Sequence, residues 1–236
     1  MAMVHYSTPM ERLLNSRLIN LTQPIGENIP IWSGDPPVTF EDVAWLQTHG
    51  YRLRAFSMGE HSGTHINAPA AFLDTGSTIE SVPLQLAPAV VFNLSAEAAG
   101  NPRCQLTPEH GEHWEAEHGV FPNGAFALLR TDWDRYWREP QRFLASWPAF
   151  SSEAVELLLQ RGLHGLGTDT HGVDPCDSVG YPINRLVLAH GGVVLECLRN
   201  LRLLPTTGAW LAGGALPLAG GSGAPAVVFA LVPAQL

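Results

Sequence analysis

Apolar residues in this chain come in short runs, most of them cut off by Gly, Pro or Asn. Runs of roughly four to eight residues, β-branched or densely apolar and bounded in this way, predict strands. "RLINLTQPI" predicts a strand ending at Pro24, and "IPIWSGDPPVTF" a turn-rich loop leading to another. Residues 51–58 alternate large and small side chains and read as extended. "APAVVFNLS", "AFALLRT", "HGLGTD", "GVVLECL", "AWLAGGALPL" and "APAVVFALV" supply the remaining strands.

Two segments carry helix signals instead. "SSEAVELLLQRG" starts on Ser, holds Glu153 and Glu156 in its first turn and stops at Arg161-Gly162. "YPINRLVLAHGG" has Pro182 at a first helical position and a Gly pair to stop it, with Ile183, Leu186 and Val187 on one face. His190 near its carboxyl end reads as a cap that meets the helix dipole. "TPEHGEHWEAEHG" is a charged helical segment whose His110, His113 and His118 read as a solvated face, since no apolar stripe turns them inward. Strands outnumber helices, and helices interrupt them irregularly. The expected fold class is therefore α/β, a mixed sheet curled into a barrel-like layer with helices outside, and residues 1–236 read as a single domain.

Composition narrows the function. Thirteen basic residues against twenty-two acidic ones give a formal charge of −9, with no Lys/Arg cluster, so no nucleic-acid partner is expected. No apolar run reaches the ~20 residues of a membrane span, and "MAMVHYSTPMERLLNS" lacks a leader pattern, so a cytoplasmic location without a membrane is expected. Cys104, Cys176 and Cys197 are widely spaced and form neither a disulfide framework nor a thiolate zinc pattern.

The chemistry concentrates in "GEHSGTHINAPAAF". If residues 61–67 are extended, the period of two sends His61, Gly63, His65 and Asn67 to one side, with Gly63 leaving room between the imidazoles. That pattern converges three polar groups on one point.

"HSGTHINAPAAF" resembles the signature of the cyclase family, His-x-Gly-Thr-His-x-Asp-x-Pro-x-His-Phe, a family that includes bacterial kynurenine formamidase and isatin hydrolase. "NLTQPIGENIPIWSGDPP", "LLRTDWDRYW", "GLGTDTHGVDP", "YPINRLVLAHGGVVLECLRNL" and "GGSGAP" are similar to further segments of the family, in the same order. The resemblance implies a swivelling β/β/α fold assembled as homodimers or homotetramers. It also implies a divalent metal centre that activates water against an amide of a small, often aromatic, substrate. In formamidase-type members the His pair and the Asp hold one metal. The Asp, a His on the later helix and a Glu on the next strand hold a second, and the last His of the signature transfers protons.

Carried over residue by residue, His61, His65 and Glu196 are retained. The bridging Asp is replaced by Asn67, the proton-transfer His by Ala71 and, by its spacing of twelve from Glu196, the helix His by Asn184. A neutral amide oxygen is a poor substitute for carboxylate or imidazole. The expectation is therefore an enzyme without an essential cofactor, acting on a small carbonyl or amide metabolite by ring closure, dehydration or lactam and lactone chemistry. In it His61 and His65 serve as acid and base, Glu196 orients one of them, and Asn67 and Asn184 donate to an oxyanion. Trp32, Trp133 and Asp169 are assigned to the substrate pocket, with core packing for the tryptophans and turn capping for Asp169 as the alternatives. One Zn or Mn held weakly by His61 and His65 for amide hydrolysis is a second reading. A ligand-binding protein without turnover is a third.

Overall fold

Alternation along the strands decides the architecture. The computed structural model describes residues 15–233, so the first fourteen residues, most of the stretch inspected for a leader, lie outside the described residues. The strands are β1 (Arg17–Asn20), β2 (Thr39–Ala44), β3 (Leu53–Ser57), β4 (His65–Asn67), β5 (Gln85–Asn93) and β6 (Gln105–Leu106). They continue with β7 (Phe126–Arg130), β8 (Ala149–Phe150), β9 (Gly165–Thr168), β10 (Val193–Glu196), β11 (Ala209–Ala215) and β12 (Gly223–Val232). The longer helices are α1 (Pro108–His118), α2 (Ser152–Gln160) and α3 (Pro182–Ala189).

Strands β12, β11, β5, β7, β9, β10 and β4 bond in that order, and β4 pairs back onto β12, closing a seven-strand mixed barrel. β1 continues along the other half of that edge of β12. The neighbours β5, β7, β9 and β10 are parallel, as strands linked by helical crossovers can be. The α/β fold with outer helices expected from the sequence is the fold observed.

Side chains of successive strand residues part to opposite faces. Ala87, Ala89 and Val91 of β5, Phe126 and Leu128 of β7, and Val193 and Leu195 of β10 fill the barrel interior. Their neighbours Val90, Phe92, Ala127, Leu129 and Val194 pack outward against Val155 and Leu158 of α2 and Ile183 and Val187 of α3. The barrel is thus solid, and any binding site must lie outside it.

The helices form where the sequence signals placed them. Ser151 Oγ accepts from the Ala154 amide at 3.1 Å at the start of α2. On α1, His110 Nδ1 accepts from the Thr107 amide at 3.0 Å, and His113 is exposed. His118 instead packs its ring on Trp114, which is buried: this helix turns an aromatic anchor inward that the charge pattern concealed. His190 Nδ1 donates to the Leu186 carbonyl at 2.8 Å at the end of α3.

Candidate functional site

Register builds the site. β10 runs antiparallel to β4 with Glu196 opposite His65 and Val194 opposite Asn67, so Glu196 and His65 are cross-strand neighbours on the outward face. Ile66, between the two polar residues, points into the barrel. On its other edge β4 meets β12, with Gly223 opposite Asn67. His61 does not belong to the strand. Gly63 has φ of +70°, a left-handed conformation that breaks the alternation expected across residues 61–67. The chain turns there, and His61 reaches the site from the turn instead. Its ring lies over Gly223, where an added Cβ would come within 2.5 Å of His61 Cε1.

The two imidazoles meet edge to face, with centroids 5.2 Å apart. His65 Nδ1 donates to the Gly63 carbonyl at 2.9 Å, so its Nε2 is the nitrogen that faces Glu196 Oε2 at 3.1 Å. Burial would raise the Glu196 carboxyl. The hydrogen bond and charge of His65, with the Val173 amide, outweigh it and bring Glu196 down to about 2. His61 is lowered as well, by burial and by the neighbouring His65, against the hydrogen bond with Asn67, and for an imidazole a lowered value favours the neutral form. The two adjacent histidines thus differ in partner, His65 facing a carboxylate and His61 a neutral amide.

A line of amides crosses the floor. His61 Nδ1 lies 2.8 Å from Asn67 Oδ1, Asn67 Nδ2 donates to Asn184 Oδ1 at 2.9 Å, and Asn184 Nδ2 donates to Asp174 Oδ2 at 2.8 Å. On the other side, His61 Nε2 lies 3.0 Å from Ser222 Oγ, which also reaches Glu60 Oε2 at 2.7 Å.

Above these groups is a cavity of about 380 Å³, lined by Trp32, Trp147, Phe72, Tyr181 and His171 among others. The Trp32 and His171 rings stack at 5.3 Å, 7° from parallel, and Trp147 meets both edge-on. Burial brings the His171 imidazole down to about 4.

The structure brings His61, His65, Asn67, Asn184, Glu196 and Trp32 to one cavity, with Ala71 on its wall. Trp133 and Asp169 lie elsewhere. Trp133 is buried behind the cavity wall, in the cluster that also holds Trp147, with Nε1 donating to the Phe143 carbonyl at 3.1 Å. Asp169 is buried, its carboxylate accepting from the Thr131 amide at 3.0 Å and hydroxyl at 2.6 Å. His171, Asp174, Trp147, Tyr181 and Ser222 are cavity residues that the sequence reading did not single out. His171 and Asp174 lie in "GLGTDTHGVDP" and Ser222 in "GGSGAP", segments noted for their resemblance without a role being assigned to these residues.

The donor set does not fit the metal centre implied by the family resemblance. Among the described residues no three His, Cys, Asp or Glu side chains are grouped to hold an ion. Both amide oxygens, at Asn67 and Asn184, are engaged by neighbouring side chains.

Against known proteins, the family described as "Putative cyclase" matches residues 19–175. The chain belongs to the cyclase family. It is 30% identical to an isatin hydrolase of Roseibium aggregatum over 92% of each chain. It is 27% identical to a kynurenine formamidase of Erythrobacter litoralis, covering 77% of this chain and 79% of that one. A crystal structure of an isatin hydrolase bound to the product analogue thioisatinate superposes with a TM-score of 0.89 at 29% identity, over 94% of this chain and 95% of that one. The protein is thus a cyclase-family, hydrolase-like enzyme related to both. No helix among the described residues is long and apolar enough to cross a membrane.

Proposed function

We propose that this enzyme makes or opens a small lactam, lactone or related ring by acid–base chemistry on two histidines, without an essential metal. The observation that carries the reading is the division of labour between them: His65 is tied to Glu196 at 3.1 Å, while His61 is bonded to neutral Asn67. His61, held below its ordinary value by burial and by His65, is neutral at pH 7 and is the base. The His65–Glu196 pair places a proton donor where negative charge develops. Asn67 Nδ2 carries a second proton, beyond the one given to Asn184, for a carbonyl oxygen in the cavity.

In the opening direction His61 takes a proton from water as the water oxygen bonds to the carbonyl carbon. The ring C–N or C–O bond then breaks as the leaving atom receives a proton from His65, and His61 returns its proton to Glu196-paired His65 through the cavity. The reverse sequence closes the ring. The aromatic wall of Trp32, Trp147 and His171 suits a planar substrate, and the related isatin hydrolases make isatin and similar small lactams the first compounds to assay.

Turnover of such lactams should persist after extensive chelation and fall by about 10²–10⁴-fold in His61→Gln. Activity that vanishes with a chelator and returns with Zn or Mn would instead establish the single-metal reading, for which the 30% identity to an isatin hydrolase is the argument.

A further inference from the structure

The cavity is aromatic in its walls and one-signed in its charge. All thirteen basic residues of the chain are arginines, and none of them lines it. Arg185, next to Asn184 in sequence, donates to the Gly180 carbonyl at 2.8 Å, and Arg103 is paired with Asp177 at 2.8 Å. The amides that open α3 are occupied too: those of Ile183 and Asn184 donate to Asp174 Oδ1 at 2.7 Å and Oδ2 at 3.2 Å. Three imidazoles remain, His61, His65 and His171. Four carboxylates stand against them. Glu196 faces His65 at 3.1 Å, Glu60 reaches His61 through Ser222 Oγ, and Asp174 and Asp35 complete the set. Even with every imidazole charged the carboxylates outnumber them, so the sign does not depend on how the histidines titrate. Asp35 is the unbalanced member. Its amide donates to the Trp32 carbonyl at 3.1 Å, which fixes it in the turn that carries the aromatic wall. It is exposed at the rim of the cavity, and its carboxylate has no partner among the described residues.

We infer that the cavity sorts aromatic rings by charge: it takes rings that are neutral or carry a protonated amine, disfavours rings that carry a carboxylate, and has Asp35 as a specificity-determining residue at its rim. A cleft with apolar walls and fixed charges of one sign focuses that potential inward. A carboxylate on the ring would give up its water without finding a charged donor. An ammonium group would meet Asp35 and the Trp32 indole beside it. The inference deepens the function proposed above and rests on its metal-free site, since a bound divalent cation would reverse the sign. It also narrows that function toward ring opening. The acid that opening releases carries the group the cavity disfavours, whereas closure would have to admit it.

The test needs no turnover. Tryptamine, tryptophol and indole-3-propionate share one ring and differ in the end of a short side chain, which is cationic, neutral and anionic near pH 7. Their binding to the full chain, stripped with a chelator, is measured by titration calorimetry at low and at high ionic strength. Tryptamine should bind most tightly and tryptophol next. Indole-3-propionate should be weaker than tryptophol by about tenfold or more at low ionic strength, with the gap closing in salt. In Asp35→Asn the spread between tryptamine and indole-3-propionate should narrow by about threefold, with tryptophol unchanged. Indole-3-propionate bound as tightly as tryptophol, a spread that survives Asp35→Asn intact, or no binding of any of the three at millimolar concentration would overturn the inference. Turnover after chelation tests the parent reading separately. An enzyme that works without metal yet holds the propionate fails only the sorting by charge, and one that needs metal but shows this order when stripped fails only the proposed chemistry.

Discussion

Glu196 and His65 show what one pair of residues contributes. Their side chains are 9% and 2% exposed, and either charge left alone at that depth would be costly. Because Glu196 is brought down to about 2 from an ordinary value of 4.5, the fold binds fewer protons there than the unfolded chain does. The resulting stabilisation is complete above pH 4.5 and disappears as pH falls from 4.5 toward 2. Glu196→Gln should therefore lower stability at pH 7 by about 3 kcal/mol in urea denaturation. The deficit should shrink steadily on acidification below pH 4.5. A deficit that does not change with pH would mean that packing, not charge, accounts for the loss.

At the scale of elements, the site depends on the seam where β4 and β12 close the barrel. Gly223 stands opposite Asn67 in that seam, and a Cβ there would lie 2.5 Å from His61 Cε1 and 2.8 Å from the Ile66 carbonyl. Gly223→Ala must move either the imidazole or the strand. It should cost about 1–3 kcal/mol of stability and displace the His61 ring resonances, measured by thermal unfolding and by histidine NMR. A variant with unshifted resonances and wild-type stability would show that the seam has slack. The seam also explains which parts of the site the sequence could reveal. Asn67 and Asn184 were legible because one lies in a spaced motif and the other at a fixed distance from Glu196. The strands and helices were legible because their apolar periods change sharply at Gly, Pro and Ser. The straight run assumed through residues 61–67 was not, because the +70° turn at Gly63 leaves no mark in an apolar–polar pattern. His171 and Asp174 enter from the loop after β9, and Ser222 from the approach to β12, so only barrel closure brings them to His61. Trp133 misled for the converse reason: its segment resembles a pocket segment, but its indole N–H is satisfied by the Phe143 carbonyl inside a core.

The whole molecule feels acid through Asp169, which the fold buries, and His171, which is half-buried in the cavity wall. His171 is brought down to about 4 by burial, although its edge opens on the cavity, whereas the unfolded chain titrates near 6.5. Its stabilising contribution is complete above pH 6.5 and is lost as pH falls through the interval down to about 4, where the unfolded chain binds the proton first. Asp169 works the other way. Burial pushes it up to about 7 against its Thr131 bonds, so its contribution is greatest in acid and diminishes as pH rises from 3.8 to about 7. The two opposing trends flatten the wild-type curve, so its shape alone reveals neither. His171→Phe isolates one of them. Phenylalanine keeps an aromatic face for Trp32, which stacks on His171 at 5.3 Å, and for the edge-on Trp147, but it cannot take a proton. The stability of the wild type minus that of His171→Phe should increase by up to about 3 kcal/mol between pH 4 and pH 6.5 and then level off, in urea midpoints measured at half-unit steps. Asp169 is common to both proteins and cancels in that difference. A flat difference would show that the imidazole titrates in the native protein as it does in the unfolded chain, and that the aromatic wall of the cavity tolerates a charge that its composition argues against.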